Sequence, residues 1–151
     1  MMKPLALTLV TAFLVVGVAS AQDDVLAQMK KDAEIVAHVK VLEIQGGDVF
    51  EAGVVEWFAL CEVVDPIKGP IKKGDQIRFH FNQFGYHDEL EPKPVEEGKE
   101  YVIFLKGEWG ATAFPSDKEP HVAYALLDRW VGVLPYSYYL VHRLKEYLKD
   151  E

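Results

Sequence analysis

Gln76-Ile77-Arg78-Phe79-His80-Phe81-Asn82 alternates without a break, with Ile77, Phe79 and Phe81 on one side and Arg78, His80 and Asn82 on the other. A period of two is the mark of a β-strand with one face on a core. The spacing predicts that the three apolar side chains point inward and the three polar ones outward. Upstream, Ile35, Ala37, Val39 and Val41 alternate with Val36, His38, Lys40 and Leu42, giving a second strand. Between these two lies a β-rich stretch from Val49 to Val64, apolar on both faces, with Gly53 as a bend. Downstream, Tyr101 to Leu105 reads as a buried strand and Val122 to Leu127 as a last one.

The breaks between these runs follow turn chemistry. Gln45-Gly46-Gly47-Asp48 predicts the first turn, Asp65-Pro66 ends the long strand, and Lys72-Lys73-Gly74-Asp75 predicts another turn. The segments 83–100 and 107–120 carry Gly and Pro and are expected on the surface. Asp128 to Pro135 is expected to be irregular. Val25 to Lys31 predicts a short helix, with acids before it and lysines at its end. A C-terminal helix is expected from Ser137, its N-cap, to about residue 149, with Leu140, Val141, Leu144, Tyr147 and Leu148 on one stripe. The expected fold is mainly β: a small five-stranded, OB-like antiparallel barrel with a short N-terminal helix and a C-terminal capping helix.

The N-terminus bears on where the protein works. Met1-Met2-Lys3 precedes an apolar run from Leu5 to Val18, and Ala19-Ser20-Ala21 fits the small-x-small pattern of a signal peptidase site. The run is shorter than the roughly 20 apolar residues that span a bilayer. Residues 1–21 are therefore expected to be a cleaved signal peptide, with cleavage near Ala21-Gln22, and 22–151 a single domain that is periplasmic or secreted. No integral membrane association is expected after cleavage. Cys61 is the one cysteine of the 151 residues, so the domain is expected to stand on its core without an internal disulfide. The net charge of −8 disfavours nucleic acid, which demands a basic patch.

The order of these segments resembles a known family. Asp32 to Val39 is followed by Cys61-Glu62-Val63-Val64-Asp65-Pro66-Ile67-Lys68-Gly69, then Lys73-Gly74-Asp75-Gln76-Ile77-Arg78-Phe79, then Glu97-Gly98-Lys99-Glu100-Tyr101-Val102-Ile103-Phe104-Leu105. This pattern, over Asp32 to Leu127, is similar to small exported bacterial proteins related to the tissue inhibitor of metalloproteinases and netrin-module superfamily. The resemblance implies an OB-type barrel. In the eukaryotic inhibitors a mature N-terminal cysteine reaches the protease zinc, and disulfides hold the domain. A chain starting at Gln22 has neither, so no inhibitory site is carried over.

Candidate chemistry is sparse. After the leader the hydroxyl and thiol nucleophiles are Thr112, Ser116, Ser137 and Cys61, with no Gly-x-Ser-x-Gly elbow and no phosphate-cradling glycine loop. Cys61 is expected to be an inert buried thiol. No catalytic constellation is visible, so the protein is expected not to be an enzyme, and no cofactor is implied. Binding is the leading expectation, with another extracytoplasmic protein as partner. Rims of OB-type barrels carry the ligand contacts, and here the rim segments hold Phe50, Trp109 and Phe114. The alternative is a metal site, or a metal-dependent enzyme, built from His80, His87 and Asp88 with Glu89 and Glu91 nearby. His38, His121 and His142 are expected to be packed or surface-paired. Trp130, Tyr136, Tyr138 and Tyr139 are expected to dock the last helix.

Overall fold

The computed structural model describes residues 24–50, 53–86, 89–115, 117–127 and 132–147. Helix α1 (24–32) leads into β1 (Ile35–Phe50), β2 (Val54–Lys68), β3 (Gln76–Tyr86), the two-residue β4 (Glu89–Leu90), β5 (Glu100–Thr112), β6 (His121–Leu126) and β7 (Val133–Pro135), and α2 (Tyr138–Tyr147) closes the chain. The protein is mainly β. The strands run β1-β2-β3-β6-β5, and β5 pairs back onto β1, so five strands form a ring. β4 is attached to β3, and β7 to β5.

The sequence predicts antiparallel pairing throughout. One pair departs from this: β3 and β6 run parallel through Phe79↔Tyr124 and His80↔Ala125. The first turn also lies later than the Gly46-Gly47 signal predicts. β1 continues to Phe50, and Gly46 is absorbed in a bulge at φ 131°. A Cβ there would lie 2.5 Å from the Glu56 carbonyl oxygen, so the position demands glycine for space as well as conformation. Nor does Pro66 end β2. Pairing with β3 stops at Glu62↔Gln76, which leaves the last residues of β2 with one neighbour, where a missing N–H is tolerated.

Segments expected to be loops also carry strands. β5 runs on to Thr112, which places Trp109 on a strand, and β7 occupies part of the stretch expected to be irregular. The 83–100 connection is shortened by the extension of β3 and by β4. Within it Val95 is fully buried, and the Tyr101 hydroxyl accepts a hydrogen bond of 2.9 Å from Glu96 N.

Alternation builds two cores. Inside the ring lie Ala37, Val39 and Val41 of β1, Ala59, Cys61 and Val63 of β2, Ile77, Phe79 and Phe81 of β3, and Ile103 and Leu105 of β5. The predicted inward faces of β1 and β3 are thus the observed ones. On the outside, Val36, Val102 and Phe104 meet Met29 and Ala33 at α1 and Val141 and Leu144 of α2. Ser137 caps α2 as predicted, its Oγ accepting from Leu140 N at 3.1 Å. Lysines close the other helix ends: Lys68 Nζ donates to the carbonyls of Lys30 (2.8 Å) and Lys31 (3.1 Å), and buried Lys30 donates to that of Leu144. Docking of α2 does not consume the tyrosines of its first turn. Tyr138 and Tyr139 are exposed, because the buried stripe falls on Val141 and Leu144; Trp130 lies outside the described residues.

Candidate binding site

On the outer face of the ring, β2 and β3 set side chains in register. Phe58 lies opposite His80, and Glu56 opposite Asn82. The sequence predicts Arg78 and His80 as outward residues. They do leave the core side, yet they are buried, at 5% and 9% exposure. What covers them is an arm built from the far half of β5 and the residues after it. Gly107, at φ 62°, and register shifts between Leu105 and Gly110 bend β5 out of the ring.

The arm is fastened at two points. Gln45 Nε2 of β1 donates to Ala113 O at 2.6 Å and to Thr112 Oγ1 at 3.3 Å. Arg78 donates to Thr112 O at 3.2 Å and grips both carboxylate oxygens of Asp117, with 2.7 Å to Oδ1. Asp117 in turn accepts from Phe114 N at 2.7 Å. The Arg78 hydrogen bond pulls the Asp117 pKa down to about 2, and the bond from Phe114 adds to the effect. A two-pronged guanidinium–carboxylate pair of this kind fixes orientation as well as charge.

The rim residues separate under this geometry. Trp109 is 44% exposed, and its indole stacks on the His80 ring at 4.2 Å and 11°. Phe58 meets both rings edge-on, at 5.1 Å from Trp109 and 5.4 Å from His80. Phe114 is 2% exposed beneath the Arg78 guanidinium, so it anchors the arm and presents no surface to a partner. The backbone of Phe50 pairs with Val54 at the end of β1, and its side chain lies outside the described residues. His87 and Asp88 also lie outside them.

His80 is the centre of the cluster. Its Nε2 sits 3.3 Å from Glu56 Oε1, close enough for an ion pair but without the geometry of a hydrogen bond. Burial lowers its pKa from the ordinary 6.5, against the opposing pull of Glu56. Among the described residues two buried side-chain polar atoms have no hydrogen-bond partner, His80 Nε2 and Asn82 Oδ1. Both residues line one small pocket of about 110 Å³, with Phe81, Ala125 and Leu126. It opens where β3 and β6 part after the His80↔Ala125 pair.

A larger open groove of about 480 Å³ runs along Ile44, Pro92, Lys93, Val95, Glu96 and Glu97. Its polar groups are already engaged. Glu97 accepts from Ile44 N at 3.0 Å, and Lys93 lies 3.8 Å over the Trp57 ring. His38, expected to be packed or paired, meets Glu100 at 2.9 Å and stacks on Tyr136 at 3.8 Å. Cys61 is fully buried, and desolvation pushes its thiol pKa far up, so it stays protonated. Among the described residues no three His, Cys, Asp or Glu side chains gather in a metal-binding group. No described helix is long and apolar enough to cross a membrane.

Sequence reasoning singled out His80 and Trp109 separately. It missed Phe58, Glu56 and Asn82 as their neighbours. The available signal was the alternation of 54–60 and 76–82, which places all four β2 and β3 side chains on one face. No protein-family model matches the chain, and no curated protein matches it in sequence.

Proposed function

We propose that this chain is an exported, non-enzymatic binding domain that holds a protein partner on the outer face of β2 and β3, around Trp109. The single observation behind this is a half-exposed indole stacked on a buried histidine, beside a pocket whose lining residues carry unpartnered polar atoms. Large aromatic side chains held rigidly against a partly desolvated polar group are the usual anchors of protein interfaces. The leader-like first 21 residues support export to the periplasm or medium. The strand order β1-β2-β3-β6-β5, closed by β1–β5 and with β3 parallel to β6, supports reading the ring as an OB-type barrel. In such barrels the face of the second and third strands, flanked by the loops at either side, carries the ligand. That is the face occupied here by Phe58, His80 and Trp109. This reading keeps the likeness to the netrin-module superfamily at the level of the fold, without protease inhibition.

The test uses immobilised protein and envelope extract. Trp109→Ala is expected to lose the captured partner while keeping the wild-type far-UV spectrum. Tyr139→Ala, which removes a more exposed aromatic ring on α2, is expected to retain it. Capture that survives Trp109→Ala overturns the assignment of this face.

A further inference from the structure

We propose that the pocket beside His80 seats the ammonium group of a lysine side chain on the protein partner. This rests on the binding-domain reading above. Glu56 and Asn82 face each other across β2 and β3, and His80 is the next residue on that face. Asn82 Oδ1 and an ionised Glu56 carboxylate can only accept hydrogen bonds. His80 Nε2, 3.3 Å from Glu56 Oε1 without a hydrogen bond to it, becomes a third acceptor when a cation enters and the imidazole carries its proton on Nδ1. Neither Asn82 Oδ1 nor His80 Nε2 has a hydrogen bond, and a buried acceptor without one is costly. The entrant that repairs the deficit must donate.

Charge and size narrow it further. Glu56 is a carboxylate with its side chain 25% exposed, and the chain carries a net charge of −8, so a cation is favoured over a neutral donor. A pocket of about 110 Å³ admits a compact group. An ammonium has three donors on one atom, whereas a guanidinium presents five in a wide planar fork. A transition metal would want three or more His, Cys, Asp or Glu ligands, and the described residues gather no such set. The Trp109 and Phe58 rings against His80 give the aliphatic stem of a lysine an apolar shelf.

The experiment titrates the purified protein with acetyl-Gly-Lys-Gly-amide. Binding is read by NMR from the Asn82 side-chain amide, the His80 ring and the Trp109 indole N–H. Matched peptides carry norleucine, Nε-acetyl-lysine or arginine in place of lysine, and zinc chloride is a further arm. Saturable shifts are expected with the lysine peptide at a Kd on the order of 1 mM, and none with norleucine or acetyl-lysine. Glu56→Gln is expected to weaken binding about tenfold, the scale of one charge-assisted hydrogen bond. Asn82→Asp, a substitution of the same shape that adds an anion, is expected to tighten it. Equal shifts from norleucine, tighter binding of arginine or zinc, or no tightening in Asn82→Asp each overturn the lysine assignment. If the lysine peptide fails while capture still depends on Trp109, this inference falls and the binding-domain reading stands. If the peptide binds and capture ignores Trp109, the binding-domain reading falls instead.

Discussion

Helices α1 and α2 cover the outer surfaces of β1, β5 and the far end of β2 with hydrocarbon, whereas the β5–β6 arm covers the paired stretch of β2 and β3 with rings, charges and acceptors that lack hydrogen bonds. Under the helices, Val36, Val102, Phe104 and Leu144 are fully buried, and the lysines nearby are spent on helix carbonyls. Under the arm, Arg78 and Asp117 are hydrogen-bonded to each other, but His80 Nε2 and Asn82 Oδ1 have no hydrogen-bond partner. Both covers exclude water from one sheet. The first gains free energy from nearly every contact it makes. The second gives some of it back, and a fold that tolerates such a local cost commonly does so where it binds.

If that contrast holds, the largest stability loss belongs to the helical cover. Phe104→Ala removes a fully buried ring between β5 and the helices and is expected to cost about 3–5 kcal/mol in urea unfolding. A loss below about 1 kcal/mol would mean that the helices contribute little, and the distinction between the covers would collapse.

The arm is expected to respond locally, and to pH. The Asp117 pKa is depressed from 3.8 to about 2, so its contribution is complete above the ordinary value and disappears as pH falls through about 2. Trp109 fluorescence should therefore report release of the arm at strongly acid pH, before or apart from loss of helical circular dichroism. Asp117→Asn should remove that acid transition and leave Arg78 buried without its counter-ion. Amides of 107–118 should then exchange faster at neutral pH, while those of α2 keep wild-type protection. Simultaneous loss of helix and arm protection would show one cooperative unit where the contrast demands two.

The two covers were unequally legible in the sequence. Helix α2 advertised itself through Ser137 and the Val141–Leu144 spacing, because caps and stripes are local patterns. The inward faces of β1 and β3 were legible for the same reason. The arm was not, because each of its fasteners joins residues far apart: Arg78 to Asp117 across 39 positions, Gln45 to Ala113 across 68. Alternation showed that Arg78 and His80 leave the core, but period two cannot tell solvent from a covering strand. Gly107 and Gly110 read as loop residues, although here they bend a strand over its neighbours. At Gly46 the same ambiguity ran the other way, since a glycine pair serves a bulge as well as a turn. His80 was noticed for its ligating nitrogen, and only the pairing of β2 with β3 supplied Glu56 and Asn82 as its company.

The smallest effect tests whether the helical cover is as redundant as its packing implies. Ser137→Ala deletes the Oγ that accepts from Leu140 N and should cost about 1 kcal/mol, within the range for helix caps. Val141 N also bonds the Ser137 carbonyl, at 3.2 Å, and alanine keeps that carbonyl, so the first turn retains one of its two fastenings. The variant should therefore lower Tm slightly without changing Trp109 fluorescence, since among the described residues the rings and charges around His80 come from β2, β3 and β5. A change in Trp109 emission would couple the two covers through the ring and remove the reason for treating the arm as a separately adjustable surface.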